Sequence, residues 1–340
     1  MALVVTAEFF QNRSVLVTGG TGFIGRRLVA ALLERGAEVR VLVRSVSRRL
    51  PDRDSVEGVT GDLTDPISLI CACAGIDTVF HAAGFAHADA AATPDFVTRH
   101  WAVNAEGTFH LLNAARTAGV ARFVFLSSVK AIGEPGPRCV DEDWDTLPET
   151  PYGQAKRAAE ERVLAVGRES GMHTVNLRPA LVYGPGMKAN LLRLIKAVRR
   201  SWLPPLPETG NRRSLVHVDD VVQSLLLAAA QPVAAGQTYF VTDCRPYSGQ
   251  ELYRLIRQAL GRPMPRWTVP ATVLWGAVNL ADGIRGLTGR RDGQARAMLE
   301  KLLGWACYDS RRIVNELGYR PLWDLERALP GLLQGEERCE

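Results

Sequence analysis

The chain has 340 residues, 46% of them hydrophobic and 23% charged, which is enough for a full core around one large α/β unit or two domains sharing a cleft. Its 41 basic and 36 acidic residues leave a formal charge of +5, scattered along the chain rather than gathered into one run, which argues against a nucleic-acid-binding protein despite a pI near 9.0. Six cysteines, at 71, 73, 139, 244, 307 and 339, form no CxxC pair and no His/Cys cluster at metal-ligand spacing, so free thiols in a cytoplasmic protein without a metal site are expected.

The first 13 residues lack the basic start and small-residue cleavage site of an export signal and read as a short arm before the first strand. From residue 14, β-branched runs alternate with amphipathic segments: SVLVTG, a helix over 23–35, VRVLV at 39–43, and a run over 56–60 ahead of a turn. The pattern continues with DTVFHAAG at 77–84, a helix over 98–118, RFVFLSS at 122–128, a helix over 152–170 and HTVNLRP at 173–179. Such alternation predicts an α/β fold, a doubly wound parallel sheet of the Rossmann type, with six strands and a seventh undecided at the edge. After Pro179 the texture changes: prolines cluster over 202–210, and four of the seven tryptophans lie beyond residue 260. A sheet domain over 1–180 and a smaller substrate-binding region over 181–340 follow, with 216–245, which contains a helix over 218–230, expected to pack back on the first domain. The most lipid-like stretch, 269–281, is too short to span a bilayer and reads as a buried or substrate-covering helix.

The turn TGGTGFIG spaces Gly19, Gly22 and Gly25 three apart, directly after an apolar strand and opening a helix. One glycine allows the tight turn, one lets backbone N–H groups approach a pyrophosphate, and one lets helix and strand pack closely, with Phe23 and Ile24 at the helix start. Residues 1–180 therefore read as a dinucleotide-binding domain. The second strand ends at Arg44 with no acid in its last turn, which points to NADP, Arg44 meeting the 2′-phosphate with Arg48 as a second partner; NAD beside a solvated arginine stays open. Asp62 and Leu63 follow the third strand, where the carboxylate would meet the adenine amino group. Ala82, Ala83 and Gly84 follow the fourth, where small residues let a cofactor lie against the chain; both stretches are equally compatible with plain turn chemistry.

Tyr152 and Lys156 stand one helical turn apart on one helix face. An ammonium beside the ring and a cationic nicotinamide both favour phenolate and lower the tyrosine pKa toward the working pH, as a general acid/base requires, and the lysine can also hold ribose hydroxyls. The motifs TGGTGFIG, GDLTD, HAAG, VNAEGT, LSSVKAIG, YGQAK and LRPALVYGPG, in this order, resemble the extended short-chain dehydrogenase/reductase superfamily over essentially the whole chain. The resemblance implies that Ser128 shares the substrate oxygen with Tyr152, with Ser127 as its neighbour, that Asn104 sits under the active site, and that Pro179 lies near the nicotinamide. It also implies a small-molecule substrate and a homodimer through the helices over 98–118 and 152–170.

Nucleotide-sugar dehydratases of this superfamily carry an Asp-Glu pair where this chain has Val129 and Lys130, so 4,6-dehydration is disfavoured; Lys130 is either a substrate-phosphate contact or a solvated loop residue. Asn190 and Arg213 match the residues that clasp the nucleotide in sugar-nucleotide 4-epimerases and 4-keto reductases, and a guanidinium suits a diphosphate. Leu181 and the Ser214-Leu215 pair depart from that branch, while GLTGR at 286–290 and YDSRRIVNELGYRP at 308–321 resemble hydroxysteroid dehydrogenases and dihydroflavonol reductases. Three readings follow: an NAD(P)-dependent 4-keto reductase or 4-epimerase of a UDP-sugar, a 3β-hydroxysteroid-type dehydrogenase able to couple oxidation to decarboxylation, and a non-catalytic cofactor-sensing regulator, against which the intact Ser128, Tyr152 and Lys156 argue.

Overall fold

The computed structural model describes residues 8–45, 54–85, 94–187, 190–287 and 294–337. Its strands are β1 (Ser14–Thr18), β2 (Glu38–Val43), β3 (Val56–Thr60), β4 (Thr78–His81), β5 (Arg122–Leu126), β6 (Cys139–Val140), β7 (His173–Pro179), β8 (Leu181–Tyr183), β9 (Leu215–His217), β10 (Thr238–Val241) and β11 (Cys307–Tyr308). The main sheet has seven strands in the order β3-β2-β1-β4-β5-β7-β10, every neighbouring pair parallel. Parallel strands need helices on both faces, and consecutive residues Phe123, Val124 and Phe125 of β5 are all fully buried, as that covering demands.

The helices that matter for the site are α1 (Phe23–Leu33), α2 (Pro66–Cys73), α3 (Pro94–His100), α4 (Gly107–Thr117), α5 (Pro151–Ser170), α6 (Asn190–Arg199), α7 (Val218–Ala230), α8 (Gly249–Ala259), α9 (Ala271–Leu287) and α10 (Gln294–Leu303). On one face of the sheet α1 and α7 bury Leu28, Val29, Val221 and Leu225 against Val15, Val17 and Val124. On the other, α2, α4 and α5 bury Leu69, Leu111, Leu112 and Val163 against Leu16, Val79 and Phe123. The seventh strand, undecided from the sequence, is β10, which lies along β7 with Thr238 beside Asn176 and Val241 beside Pro179. The strand order reverses between β1 and β4, which opens a crevice at their carboxyl ends, where dinucleotides bind in such sheets.

Two expectations are corrected. The single helix over 98–118 is two helices, α3 and α4, joined by a π-helical segment, Trp101–Glu106, in which the Gly107 N–H reaches back five residues to the Ala102 carbonyl. Hydrophobic spacing cannot register one widened turn, because the apolar face continues through it. Cys139 and Cys307 are not free thiols but a disulfide with Cα atoms 4.5 Å apart, carried by the paired strands β6 and β11. Their separation of 168 residues hid the pairing from any spacing argument. Residues beyond β7 also build a second apolar core, in which α6, α8, α9 and α10 pack Leu191, Ile195, Tyr247, Ile256, Leu274 and Leu302 together. Among the described residues no helix is long and apolar enough to cross a membrane, and no group of three His, Cys, Asp or Glu could hold a metal ion.

Candidate active site

The crevice begins at Gly19, whose φ of +73° is left-handed and where a Cβ would stand 2.7 Å from the Ala82 carbonyl carbon. A Cβ on Gly25 would stand 2.1 Å from the Gly19 carbonyl oxygen, so only glycine lets α1 start so close to β1. The Gly22 N–H closes the turn onto Gly19 O at 2.8 Å. Helix α1 then opens at Phe23 with no side-chain cap and no acid in its first turn. The first amides of the helix, Phe23 and Ile24 among them, and its positive end are therefore available to an anion. This cradle fits a pyrophosphate.

Beneath the cradle lies a chain of hydrogen bonds that the sequence did not disclose. Thr108 Oγ1 donates to the Asn104 carbonyl at 2.8 Å, so it accepts from His81 Nε2–H at 3.0 Å. His81 Nδ1 is then the acceptor for the Thr18 hydroxyl at 2.6 Å, and Thr18 in turn accepts from Ala83 N–H at 3.2 Å. Burial, reinforced by the Lys156 ammonium, pushes the imidazole down to about 3, so it stays neutral. The chain ties the ends of β1 and β4 to the π-helical segment.

On the adenosine side, Arg44 is exposed directly after β2. Asp62 accepts from the Thr64 backbone N–H at 2.9 Å and its hydroxyl at 2.8 Å. These bonds, the backbone one foremost and helped by Arg44, hold its carboxyl below the usual range. Leu63 is buried under Gly107, and its carbonyl meets His110 at 3.0 Å. Arg48 lies outside the described residues.

The catalytic candidates come from two elements. Pro151 occupies the first turn of α5 and Thr150 caps it, accepting from Gly153 N–H at 3.1 Å, which fixes Tyr152 in the first turn of the helix. Ser128, two residues past β5, caps the short 3₁₀ turn Val129–Ala131 and accepts from Lys130 N–H at 3.2 Å. Burial pushes the Tyr152 phenol up to about 12; a hydrogen bond with Ser128 pulls it down, and the Glu160 carboxylate raises it further. In the protein alone desolvation outweighs the contacts that favour phenolate; the lowering expected from the sequence also counted on the positive charge of the nicotinamide. The neighbouring Ser127 hydroxyl is buried, without a partner among the described residues.

Lys156 is 4% exposed. Its Nζ donates to the Leu126 carbonyl at 2.9 Å and lies 4.5 Å from the Phe125 ring. Burial brings its pKa down to about 8, against the upward pull of Glu160. A Cβ on Gly84 would stand 3.0 Å from Asn104 Oδ1 and 3.6 Å from Lys156 Nζ, so the HAAG turn, the π segment and α5 converge on one place. Asn104 exchanges two bonds with the Phe85 backbone at 2.8 and 2.9 Å. Its amide also meets His100 Nδ1 at 3.1 Å, and the His100 ring stands edge-on to Tyr152 at 5.6 Å. One turn after Lys156, Glu160 forms a buried two-pronged pair with Arg178 at 2.9 and 2.6 Å. Pro179 ends β7, buried.

The substrate side is mixed. Lys130 is paired with Glu134 on the surface. Arg213 is half-buried; its Nη2 reaches Gly304 O at 3.4 Å, while its Nε is buried without a partner among the described residues. Burial lowers its pKa, and Tyr308 and Glu134 raise it. Asn190 opens α6, but its side chain lies outside the described residues. The Ser214 hydroxyl is consumed by the Tyr308 backbone, at 3.2 Å to its carbonyl and 2.9 Å from its N–H. Leu181 and Phe23 pack against the second apolar core, as Trp275 and Val278 do.

The arrangement of glycine cradle, crevice and Ser-Tyr-Lys group has known counterparts. The model of the NAD dependent epimerase/dehydratase family matches residues 15–241. The chain belongs to this family. It is a nicotinamide-dependent enzyme of the short-chain dehydrogenase/reductase type, and its relatives divide over substrate. It is 33% identical to a 3-beta-hydroxysteroid dehydrogenase of Mycolicibacterium neoaurum, over 93% of this chain and 89% of that one. It is also 33% identical to a UDP-glucose 4-epimerase of Vibrio cholerae, over 83% of this chain and 88% of the relative. The structure of MoeE5 in complex with UDP-glucose and NAD superposes with a TM-score of 0.72 at 26% identity, covering 96% of this chain and 99% of MoeE5.

Proposed function

We propose that this family member moves a hydride between NADP and the hydroxyl or keto carbon of an apolar, sterol-like substrate. The observation that carries the substrate class is the apolar surface beyond the cradle: Leu181 and Phe23 pack on the second apolar core, which Trp275 and Val278 also join, and Leu181 with the Ser214-Leu215 pair departs from the sugar-nucleotide branch. The match to a 3-beta-hydroxysteroid dehydrogenase over 93% of the chain supports the same reading.

The nicotinamide ring supplies or accepts the hydride. Around it, Ser128 and Tyr152 share the substrate oxygen, and Tyr152 takes the hydroxyl proton in oxidation or returns it in reduction. Lys156 holds the ribose hydroxyls, and its ammonium favours the phenolate. Gly19, Gly22 and Gly25 with the first amides of α1 hold the pyrophosphate, Asp62 and Leu63 flank the adenine, and Ala82, Ala83, Gly84, Asn104 and Pro179 line the nicotinamide half. Arg44 stands where a 2′-phosphate would lie, with no acid beside it in the last turn of β2, which favours NADP over NAD. A smaller dissociation constant for NAD than for NADP would remove that preference. Light scattering tests a homodimer through α4 and α5; a monomer refutes it.

A second reading, reduction or epimerisation at C4 of a UDP-sugar, is favoured by Arg213, whose buried Nε has no partner among the described residues and whose fork suits a diphosphate. Lys130 and Asn190 would join it. Val129 and Lys130 remove the acid that expels water, so dehydration is not part of either reading. A thermal-shift screen of UDP, UDP-hexoses and 3β-hydroxysteroids with cofactor present decides between them. Stabilisation by sterol alone, with reduced cofactor forming at 340 nm, supports the first; stabilisation by UDP alone overturns it. Turnover of either class excludes a purely regulatory role.

A further inference from the structure

Helix α9 buries Leu274 in the second core and packs the half-buried Trp275 and Val278 against it, but leaves a second apolar stripe outside. Val273 is 56% exposed and Leu280 67%, with the exposed Gly276 and Ala277 between them on the same face. The segment leading into the helix carries Trp267, 61% exposed. The Val269 N–H donates to Pro205 O at 3.0 Å, which draws the 202–206 stretch alongside. That stretch begins with Trp202, 72% exposed, with the Arg200 guanidinium 4.8 Å over its ring. Arg262 strengthens the junction through the Val198 carbonyl at 3.2 Å and the Ser201 hydroxyl at 3.3 Å. Two tryptophans and an aliphatic helix face are thus presented to solvent from adjoining segments, where a globular protein would ordinarily scatter such residues singly.

Charge separates this surface from the rest of the molecule. Residues 190–206 and 252–281 together contain eight of the 41 basic residues and none of the 36 acidic ones. The basic residues look scattered along the sequence, but folding sets these two acid-free segments side by side. An apolar helix face bordered by tryptophan and arginine, with Asp282 the one acid of α9, is the composition of an element that lies in the plane of a bilayer surface: aliphatic groups enter the acyl boundary, indoles sit at the headgroups, and guanidinium groups meet anionic phosphates. We propose that α9, with the Trp202 and Trp267 segments, docks this enzyme on membranes rich in anionic lipid. On its inner side the same helix packs Trp275 and Val278 on the second apolar core, which Leu181 and Phe23 also join. The inference does not depend on which substrate is turned over.

The test is co-sedimentation of the full chain with phosphatidylglycerol–phosphatidylcholine vesicles, set against phosphatidylcholine alone, with tryptophan fluorescence read in parallel. Binding to anionic vesicles that weakens with salt, with a blue-shifted emission, is the expected result. Each arginine near an anionic surface contributes about fivefold to partitioning, so Arg200→Gln with Arg266→Gln weakens it on the order of 25-fold. Trp267→Ser with Leu280→Ser removes binding, while unchanged cofactor affinity in both variants shows that the fold is intact. Absence of binding to anionic vesicles at low salt overturns the proposal, as does equal binding by wild type and variants. A dimer that Trp267→Ser with Leu280→Ser converts to monomer also overturns it, since a second copy would then cover the face.

Discussion

Replacing Lys156 by methionine should abolish catalysis and yet make the protein more stable at neutral pH. Lys156 is 4% exposed, and burial brings its pKa from 10.5 to about 8. At 1.36 kcal/mol per pH unit, keeping the ammonium charged in the folded chain costs about 3 kcal/mol below pH 8. Methionine removes that cost but also the bond to Leu126 O and the Phe125 contact. Those losses together cost about 2 kcal/mol. The net expectation is a variant about 1 kcal/mol more stable than wild type at pH 7. The sign of the pH dependence follows from proton counting. Between the folded value near 8 and the unfolded value of 10.5 the unfolded chain binds more protons, so wild-type stability rises with pH across that window relative to the variant. The two should cross near about pH 9, leaving wild type ahead at about pH 10. Urea unfolding of both proteins at a series of pH values measures the difference, and paired turnover assays record the lost activity. A variant less stable at pH 7 by a margin that does not change up to pH 10 would refute the argument that a desolvated ammonium is stored at this site.

Tyr152→Phe should lower turnover by about 10²–10⁴-fold while leaving the cofactor dissociation constant near wild type, because the phenol moves a proton and the cradle is elsewhere; titrating the variant with cofactor and measuring kcat separates the two effects. Gly25→Ala drives a Cβ to 2.1 Å from Gly19 O, so cofactor affinity should collapse, seen by calorimetry, and the melting temperature should fall. Glu160→Gln strands the Arg178 guanidinium, 7% exposed, and should cost about 3–5 kcal/mol in denaturant titrations; a loss below about 1 kcal/mol would show that the buried pair contributes little.

What the sequence determined by itself is local chemistry and the alternation that sorts it. Three glycines at fixed spacing after an apolar run, and a tyrosine one helical turn before a lysine, belong to single elements, so their geometry follows from strand and helix periods alone. The parallel sheet was legible for the same reason, since β-branched runs alternating with amphipathic helices have few other ways to bury both faces. Everything that joins distant parts of the chain was decided by tertiary structure. The Thr18–His81–Thr108 chain, the Glu160–Arg178 pair and the Cys139–Cys307 disulfide unite residues separated by up to 168 positions, and pairing across such distances leaves no periodic trace. The π-helical turn at Asn104 and the edge strand β10 were hidden because apolar spacing does not report a widened turn or say which strand a late segment will join. The pKa values followed suit: the types of Tyr152 and Lys156 predict a lowered phenol, but only burial in the folded chain shows desolvation pushing the phenol up to about 12 and the ammonium down to about 8.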